Sequence, residues 1–256
     1  MTRTLNDRLA ALCLFTTLVV SSASSVSASD HGSSLKLSVG AAFQARNDVQ
    51  IPNNSLSTRF ALDDIAGSGP FPGARVEGIW NINETHGVRV LLAPLSYSEV
   101  NQIDDPITFN GATFSADEPV TGEYTFNSWR VGYRYHLQNR KRWDLWLGGT
   151  LKIRDAEIRL VQGSTSAMDD DLGFVPLLHI AWRYQFSDHW QFAGDVDALG
   201  GGPGRAIDLG LSMEYSTGSH WLWGVEYRAL EGGADTDDVY NFAWFNSFLL
   251  TSRYLF

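Results

Sequence analysis

Ionisable residues in this chain recur at every second position along segments whose intervening residues are apolar. Arg130, Arg134 and His136 alternate with Trp129, Val131, Tyr133 and Tyr135, and His179, Arg183 and Gln185 with Leu178, Ile180, Trp182 and Tyr184. Asp208, Ser212 and Glu214 alternate with Ile207, Leu209, Leu211 and Met213, and Glu226 and Arg228 with Trp223, Val225 and Tyr227. A period of two places the ionic groups on one face of a strand and the apolar groups on the other. If the strands close on themselves, the ionic faces line a lumen. Arg75, Glu77, Arg130, Arg134, Lys152, Arg154, His179, Arg183, Asp195, Asp197, Asp208, Glu226, Arg228 and Arg253 are the candidate lining residues. Lys36, Arg46, Arg89, Asp144 and Glu214 fall on the same face. Such a lining has two uses. Confined charges are costly unless they pair, which predicts a network of mutual ion pairs and trapped water that fills the interior. Alternatively, rings of Arg and Lys select small anions in a narrow passage.

Acid-base chemistry has one candidate here, His179 beside Asp195 or Asp197 on the adjacent strand, a pairing that serves a structural role equally well. No serine follows His179 on its own face. The acidic segments around 169–171 and 235–238 offer carboxylate oxygens of the kind calcium prefers, but lack the spacing of a helix-loop-helix site, so no metal is assigned. GGGPGR at 200–205 is followed by no Lys-Ser/Thr and by no helix, so it is not a phosphate loop, and no cofactor is assigned. The net charge of −10 leaves no basic face for phosphate backbones and argues against nucleic acid.

The elements that must carry these residues are long amphipathic strands, expected at 35–46, 73–82, 87–97, 124–137, 143–154, 174–186, 190–199, 206–215, 221–230 and 242–256. Most run to about ten residues or more, the length of a tilted β-span of a bilayer rather than of a globular strand. Their connectors alternate: 83–86, 138–142, 187–189 and 216–220 are tight, whereas 47–72, 98–123, 155–173 and 231–241 are long, with 200–205 the one short member of the second class. Short turns on one side and long loops on the other are the pattern of an up-and-down transmembrane barrel. The expected fold is therefore all-β, an antiparallel barrel of ten strands. Strand character at 57–64, able to pair within 108–115, would raise the number to twelve. Trp143, Tyr135, Tyr184, Phe186, Trp190, Tyr215, Trp221 and Tyr254 all lie beside the tight turns, where a membrane-interface girdle of aromatics belongs.

The front of the chain reads as a secretory signal peptide over 1–28: Arg3 and Arg8, an apolar stretch from Leu9 to Val20, and small residues ending at Ala28, near which cleavage is expected. Residues 29–256 then form the barrel domain. The sole cysteine, Cys13, lies in the leader, so the exported chain holds no disulfide and no lipoprotein cysteine.

The last strand, with Phe248, Leu250, Tyr254 and the terminal Phe256 on one face, resembles the carboxyl-terminal signal of bacterial outer-membrane β-barrel proteins. That resemblance implies residence in the bacterial outer membrane and recognition of Tyr254 and Phe256 by the barrel-assembly machinery. Outer-membrane lipid and lipopolysaccharide would surround the barrel, and a small solute is a further candidate partner. Barrel enzymes of the lipid A deacylase and palmitoyltransferase kinds place His and Ser within reach of an acyl chain, from which a lumen-facing His179 departs. Omptin-type proteases share the ten-strand count and use acidic residues with a His near the outer rim. The external segments expected here contain no His. A structural or adhesive surface protein is the remaining class.

Overall fold

In the computed structural model the described residues are 32–256, apart from 141 and 203, with nothing described for the side chains of 138–140. The leader expected at 1–28 lies outside them. The chain forms a closed antiparallel barrel of ten staves. In order these are β1 (Ser34–Gln50), β3 (Phe71–Asn81), a stave broken into β4 (His86–Ala93) and β5 (Ser96–Asn101), β8 (Val120–Arg140), β9 (Trp143–Gln162), β10 (Thr165–Gln185), β11 (Trp190–Gly201), β12 (Gly204–Thr217), β13 (Trp221–Asp235) and β14 (Tyr240–Leu255). Each pairs with the next, and β14 pairs with β1 from Ser34↔Leu255 to Gln50↔Tyr240, which closes the cylinder and leaves no edge. Pro94, which has no backbone N–H to give a ladder, interrupts the third stave.

The twelve-strand alternative is replaced by this arrangement. The segment around residue 60 contributes only β2 (Phe60–Ala61), laid on the outer end of β1, followed by a five-residue helix α1 (Leu62–Ala66). Its expected partner region forms a separate hairpin, β6 (Ile107–Phe109) with β7 (Ala112–Phe114). The two segments do meet, through Thr58 N–H donating to the Thr108 carbonyl at 2.9 Å, but neither becomes a stave.

A second expectation is corrected at 155–173. This stretch is a continuation of β9 and β10, paired up to Gln162↔Thr165 and turned at Gly163, whose φ of +55° suits glycine. β9 and β10 contain 20 and 21 residues, about twice what a bilayer requires, so half of this hairpin stands beyond it. Cross-strand pairing outside the bilayer accommodates the acidic residues at 155, 157, 169, 170 and 171.

The outward positions form an apolar band. It runs through Leu35, Leu37, Val39 and Phe43 on β1, Val131 and Tyr133 on β8, Leu147 and Leu151 on β9, Phe174, Leu178 and Ile180 on β10, Trp223 and Val225 on β13, and Phe248 and Leu250 on β14, all exposed. Among the described residues no Asp, Glu, Lys or Arg interrupts that band. Charged outward positions begin only at its extended end, at Arg46, Asp155, Arg205 and Glu231. An apolar belt this continuous, on the outside of a closed cylinder, is what contact with hydrocarbon demands. At the tight-turn end, aromatic pairs face one another between neighbouring hairpins: Trp143 with Tyr184 at 4.6 Å between ring centres, Trp190 with Tyr215 at 4.9 Å, and Trp221 with Tyr254 at 4.9 Å. Phe256 stacks beside Tyr254 at 6.3 Å.

Candidate functional site

Ladder registry fixes which side chains meet inside. Lys36 faces Glu77 and Arg253 across its two neighbours, Arg130 faces Lys152 and Leu91, and His179 faces Asp197. The barrel interior separates into a charged middle, a cationic-aromatic tight-turn end and an apolar outer end.

The middle centres on Asp197, which has no exposed surface. It accepts hydrogen bonds from Arg89 at 2.8 Å, Arg130 at 2.6 Å and Thr150 at 3.2 Å, and lies 2.7 Å from His179 Nδ1. Arg130 continues to Asp208 at 2.5 Å, and Arg228 joins Asp208 at 2.6 Å, Asp195 at 2.9 Å and Glu226 at 2.7 Å. Glu226 in turn receives Lys36 at 2.9 Å and the Ser38 hydroxyl at 3.1 Å. Arg89 also holds Glu77 at 2.7 Å, and Arg75 approaches Asp208 at 3.6 Å. Because these residues come from β1, β3, β4, β8, β9, β10, β11, β12 and β13, the network spans the lumen from wall to wall. Arg89, Arg130 and His179 are among its fully buried large side chains. Such pairs are costly to bury singly and are kept by mutual saturation of their donors and acceptors.

Towards the tight turns, Arg253 binds Glu214 at 2.9 Å, and Asp144 takes Arg183 at 2.5 Å and His136 at 3.1 Å. Arg134 has no carboxylate contact among the described residues and lies over the Trp146 ring at 4.7 Å, a cation–π placement. Towards the outer end, Lys152 lies 4.6 Å over the Phe126 ring, and Arg154 pairs with Asp171. Arg46 is the exception to the inward assignment. The extra residue Ala45 bulges β1 between Gln44 and Arg46, so the alternation shifts: Asn47 and Val49 turn inward and Arg46 turns out, paired loosely with Glu231 at 3.6 Å.

The outer end was missed by sequence reasoning. Segments that read as connectors supply Leu62, Ile65, Phe109 and Phe114, which pack with Val49, Tyr124, Leu160 and Phe245 from the inner faces of the staves. The signal present was Phe60, Leu62, Ile65, Phe109 and Phe114, apolar bulk that an external loop has no reason to carry. Polar clasps hold this plug: Gln44 Nε2 donates to the Gly67 carbonyl at 2.8 Å, Asn47 N–H to Asp63 at 3.0 Å, Asn241 Nδ2 to Asn47 at 2.8 Å, and Tyr97 OH to Gln44 Oε1. Phe71 stacks on Tyr97 with ring centres 3.7 Å apart.

Burial raises the Tyr97 and Tyr124 phenols above their ordinary range. A raised phenol contributes stability that is complete below about pH 10, where the unfolded side chain begins to ionise, and that is lost as pH climbs further. An alkaline titration followed by near-ultraviolet absorbance is expected to leave these two tyrosines un-ionised until the external plug opens. Ionisation of every tyrosine near pH 10 without loss of structure would contradict their burial.

The described histidines lie at the tight turns (His86, His136, His189 and His220) or in the middle layer (His179). No protein-family model matches the chain, and no curated protein matches its sequence. Among solved structures it is similar to the outer membrane protease OmpT from Escherichia coli, with a TM-score of 0.62, 9% identity, and coverage of 92% of this chain and 100% of that one. Weaker likenesses are the attachment protein Ail of Yersinia pestis (TM-score 0.38, 11% identity, 88% and 99% covered) and the translocator domain of the autotransporter NalP from Neisseria meningitidis (TM-score 0.41, 10% identity, 98% of each covered). At these identities the likeness is one of fold.

Proposed function

We propose that this chain is a resident of the bacterial outer membrane whose barrel is closed to solutes and whose external half carries its role at the cell surface. The reading rests above all on the wall-to-wall chain Arg89, Asp197, Arg130, Asp208 and Arg228, each member buried and each carboxylate shared between cations. A conducting pore needs ions to enter and leave weakly bound sites; here every fixed carboxylate in the middle is held by a guanidinium or an ammonium. The apolar plug above adds a second barrier. Orientation follows from the tight turns and aromatic girdle, which suit the periplasmic interface, and from the long staves and plug, which suit the exterior. In this reading the leader at 1–28 directs export and is removed near Ala28. Tyr254 and Phe256 address the chain to the assembly machinery, and lipopolysaccharide surrounds the outer rim.

Purified protein reconstituted into planar bilayers is expected to show no unit conductance steps. Truncating two network members together, Arg130→Ala with Asp208→Ala, removes paired bulk from the lumen centre, and steps that arise only when the plug residues 103–116 are also deleted would fit two barriers in series. Regular steps from the unaltered protein would overturn the closed-barrel reading.

A further inference from the structure

Within the bilayer the cylinder has no edge, but above it one opens. β10 is paired with β9 from Thr165 to Tyr184, whereas its ladder with β11 starts only at Leu178↔Ala198. β11 and β12 turn back at Gly201 and Gly204, too low to reach further, and Pro176 has no N–H to give them. Among the described residues no backbone hydrogen bond joins 165–177 to any strand but β9. Leu172 is level with Asp155, where charged outward positions begin, so the stretch from there to Thr165 stands clear of the apolar band. At the opposite margin of the same external sheet α1 covers β5, and Asn101 Nδ2 donates to the Ile65 carbonyl at 2.9 Å. The β10 margin has a single cap among the described residues, Asn110 Nδ2 donating to the Met168 carbonyl at 2.7 Å.

Strand register decides which groups the open margin presents. The peptide groups of a strand point alternately to its two neighbours. At the lower end of β10 the Gln185 N–H donates to the Arg142 carbonyl beside β9 at 2.9 Å, and the Phe186 N–H to the Trp190 carbonyl of β11 at 3.2 Å. Odd-numbered groups therefore face β9 and even-numbered groups face away from it, and no bulge interrupts the count up the strand. The N–H groups of Ser166, Met168, Asp170 and Leu172 thus point off the sheet with no strand to receive them. Such a row is a template on which a further strand adds.

Side chains on this margin select the partner. Residues 165–177 hold Asp169, Asp170 and Asp171 and no lysine or arginine. Arg154 takes Asp171, which leaves Asp169 and Asp170 without an ion pair among the described residues. Partial burial, and then the charges of Asp170 and Asp171, raise the Asp169 carboxyl above its ordinary range, the mark of a negative field with too few cations. A second copy of the chain is a poor occupant, because antiparallel pairing of β10 with β10 here sets aspartate against aspartate.

We infer that the external edge of β10 receives an extended cationic peptide segment as an added strand. The segment's backbone pairs along Ser166 to Leu172, and its Lys or Arg side chains lie opposite Asp169 and Asp170. This gives the external half a class of partner and rests on the reading that this half carries the protein's role. A silent barrel that binds no peptide overturns the inference alone, and a conducting barrel that binds it overturns the closed lumen alone.

The test is calorimetric titration of the folded protein in detergent with acetyl-Lys-Val-Lys-Val-Lys-Val-Lys-amide. It is run at about 0.1 M salt, where a Debye length of ~10 Å damps unspecific attraction to the net charge. Saturable binding is expected. The same peptide N-methylated at every residue keeps its charges and loses its N–H groups, and should bind about tenfold more weakly or worse. The peptide with Glu for every Lys should lose at least about tenfold as well. Leu172→Pro removes an edge N–H without touching the β9 ladder and should weaken binding about fivefold. Asp169→Asn with Asp170→Asn should weaken it about threefold or more. On binding, amide exchange at Met168, Asp170 and Leu172 should slow about tenfold or more, while Ala167, Asp169 and Asp171, already laddered to β9, stay as they were. Equal binding of the N-methylated or the glutamate peptide, unchanged affinity in both variants, unchanged edge exchange, or no saturable binding would each overturn the inference. Self-association that protects the same amides without peptide would assign the edge to a second copy and overturn it too. Should Leu172→Pro not fold, the double asparagine variant, the N-methylated peptide and the exchange pattern still decide it.

Discussion

Asp197→Ala is expected to lower the unfolding free energy of the barrel by about 3 kcal/mol, the lower part of the ~3–5 kcal/mol cost of breaking a buried ion pair by removing one partner. The reason for the lower part lies in the network. Arg89 keeps Glu77 at 2.7 Å and Arg130 keeps Asp208 at 2.5 Å, so neither guanidinium is wholly stranded. His179 fares worse, because among the described residues Asp197 is its one hydrogen-bond partner and its Nε2 already lacks one. Thr150 also loses its acceptor. The measurement is reversible urea unfolding in lipid vesicles with the denaturant slope checked for constancy. A loss under about 1 kcal/mol would mean that water, not Asp197, solvates these cations, and the wall-to-wall network would no longer account for a closed lumen.

The second large effect lies on the outside. Leu250 is 66% exposed on β14, flanked by Val39 and Val225 at the same level of the band, and Leu250→Arg is expected to cost about 2–4 kcal/mol in a bilayer. Leu56 is 79% exposed on the external segment before α1, and Leu56→Arg is expected to change stability by no more than about 0.5 kcal/mol. Two exposed leucines given the same substitution make a clean contrast, since only the surroundings differ. Were both variants as stable as the parent, the apolar band would be facing something other than hydrocarbon.

Much of this architecture was legible because a strand's period of two is insensitive to what lies at its ends. Trp129, Val131, Tyr133 and Tyr135 can share a face only if the residues between them share the other, and the same holds for every stave. Partner choice within the lumen was less legible. His179 stood equally near Asp195 and Asp197 in the sequence pattern, and only the β10–β11 register sets it opposite Asp197. Arg46 was misplaced because a single bulged residue, Ala45, reverses the alternation without a compositional mark. The external plug was invisible for a different reason. Its short elements have no period of their own, and their apolar residues are buried by staves distant in sequence, so local pattern says nothing of their destination. The β9–β10 extension was hidden by its aspartates, which depress strand propensity in isolation.

The external apolar cluster also constrains how the molecule is built in time. Val49 comes from the first stave and Phe245 from the last, and both are needed to enclose Phe109 and Phe114. The cluster therefore cannot consolidate while the two terminal staves are apart. Loop closure over nearly the whole polypeptide must come first, a contact of the longest range available to the chain and so among the slowest to form. Until β14 meets β1, the greasy segments ahead of and behind the third stave have no shelter, and maturation of the surface half is tied to zipping of the seam.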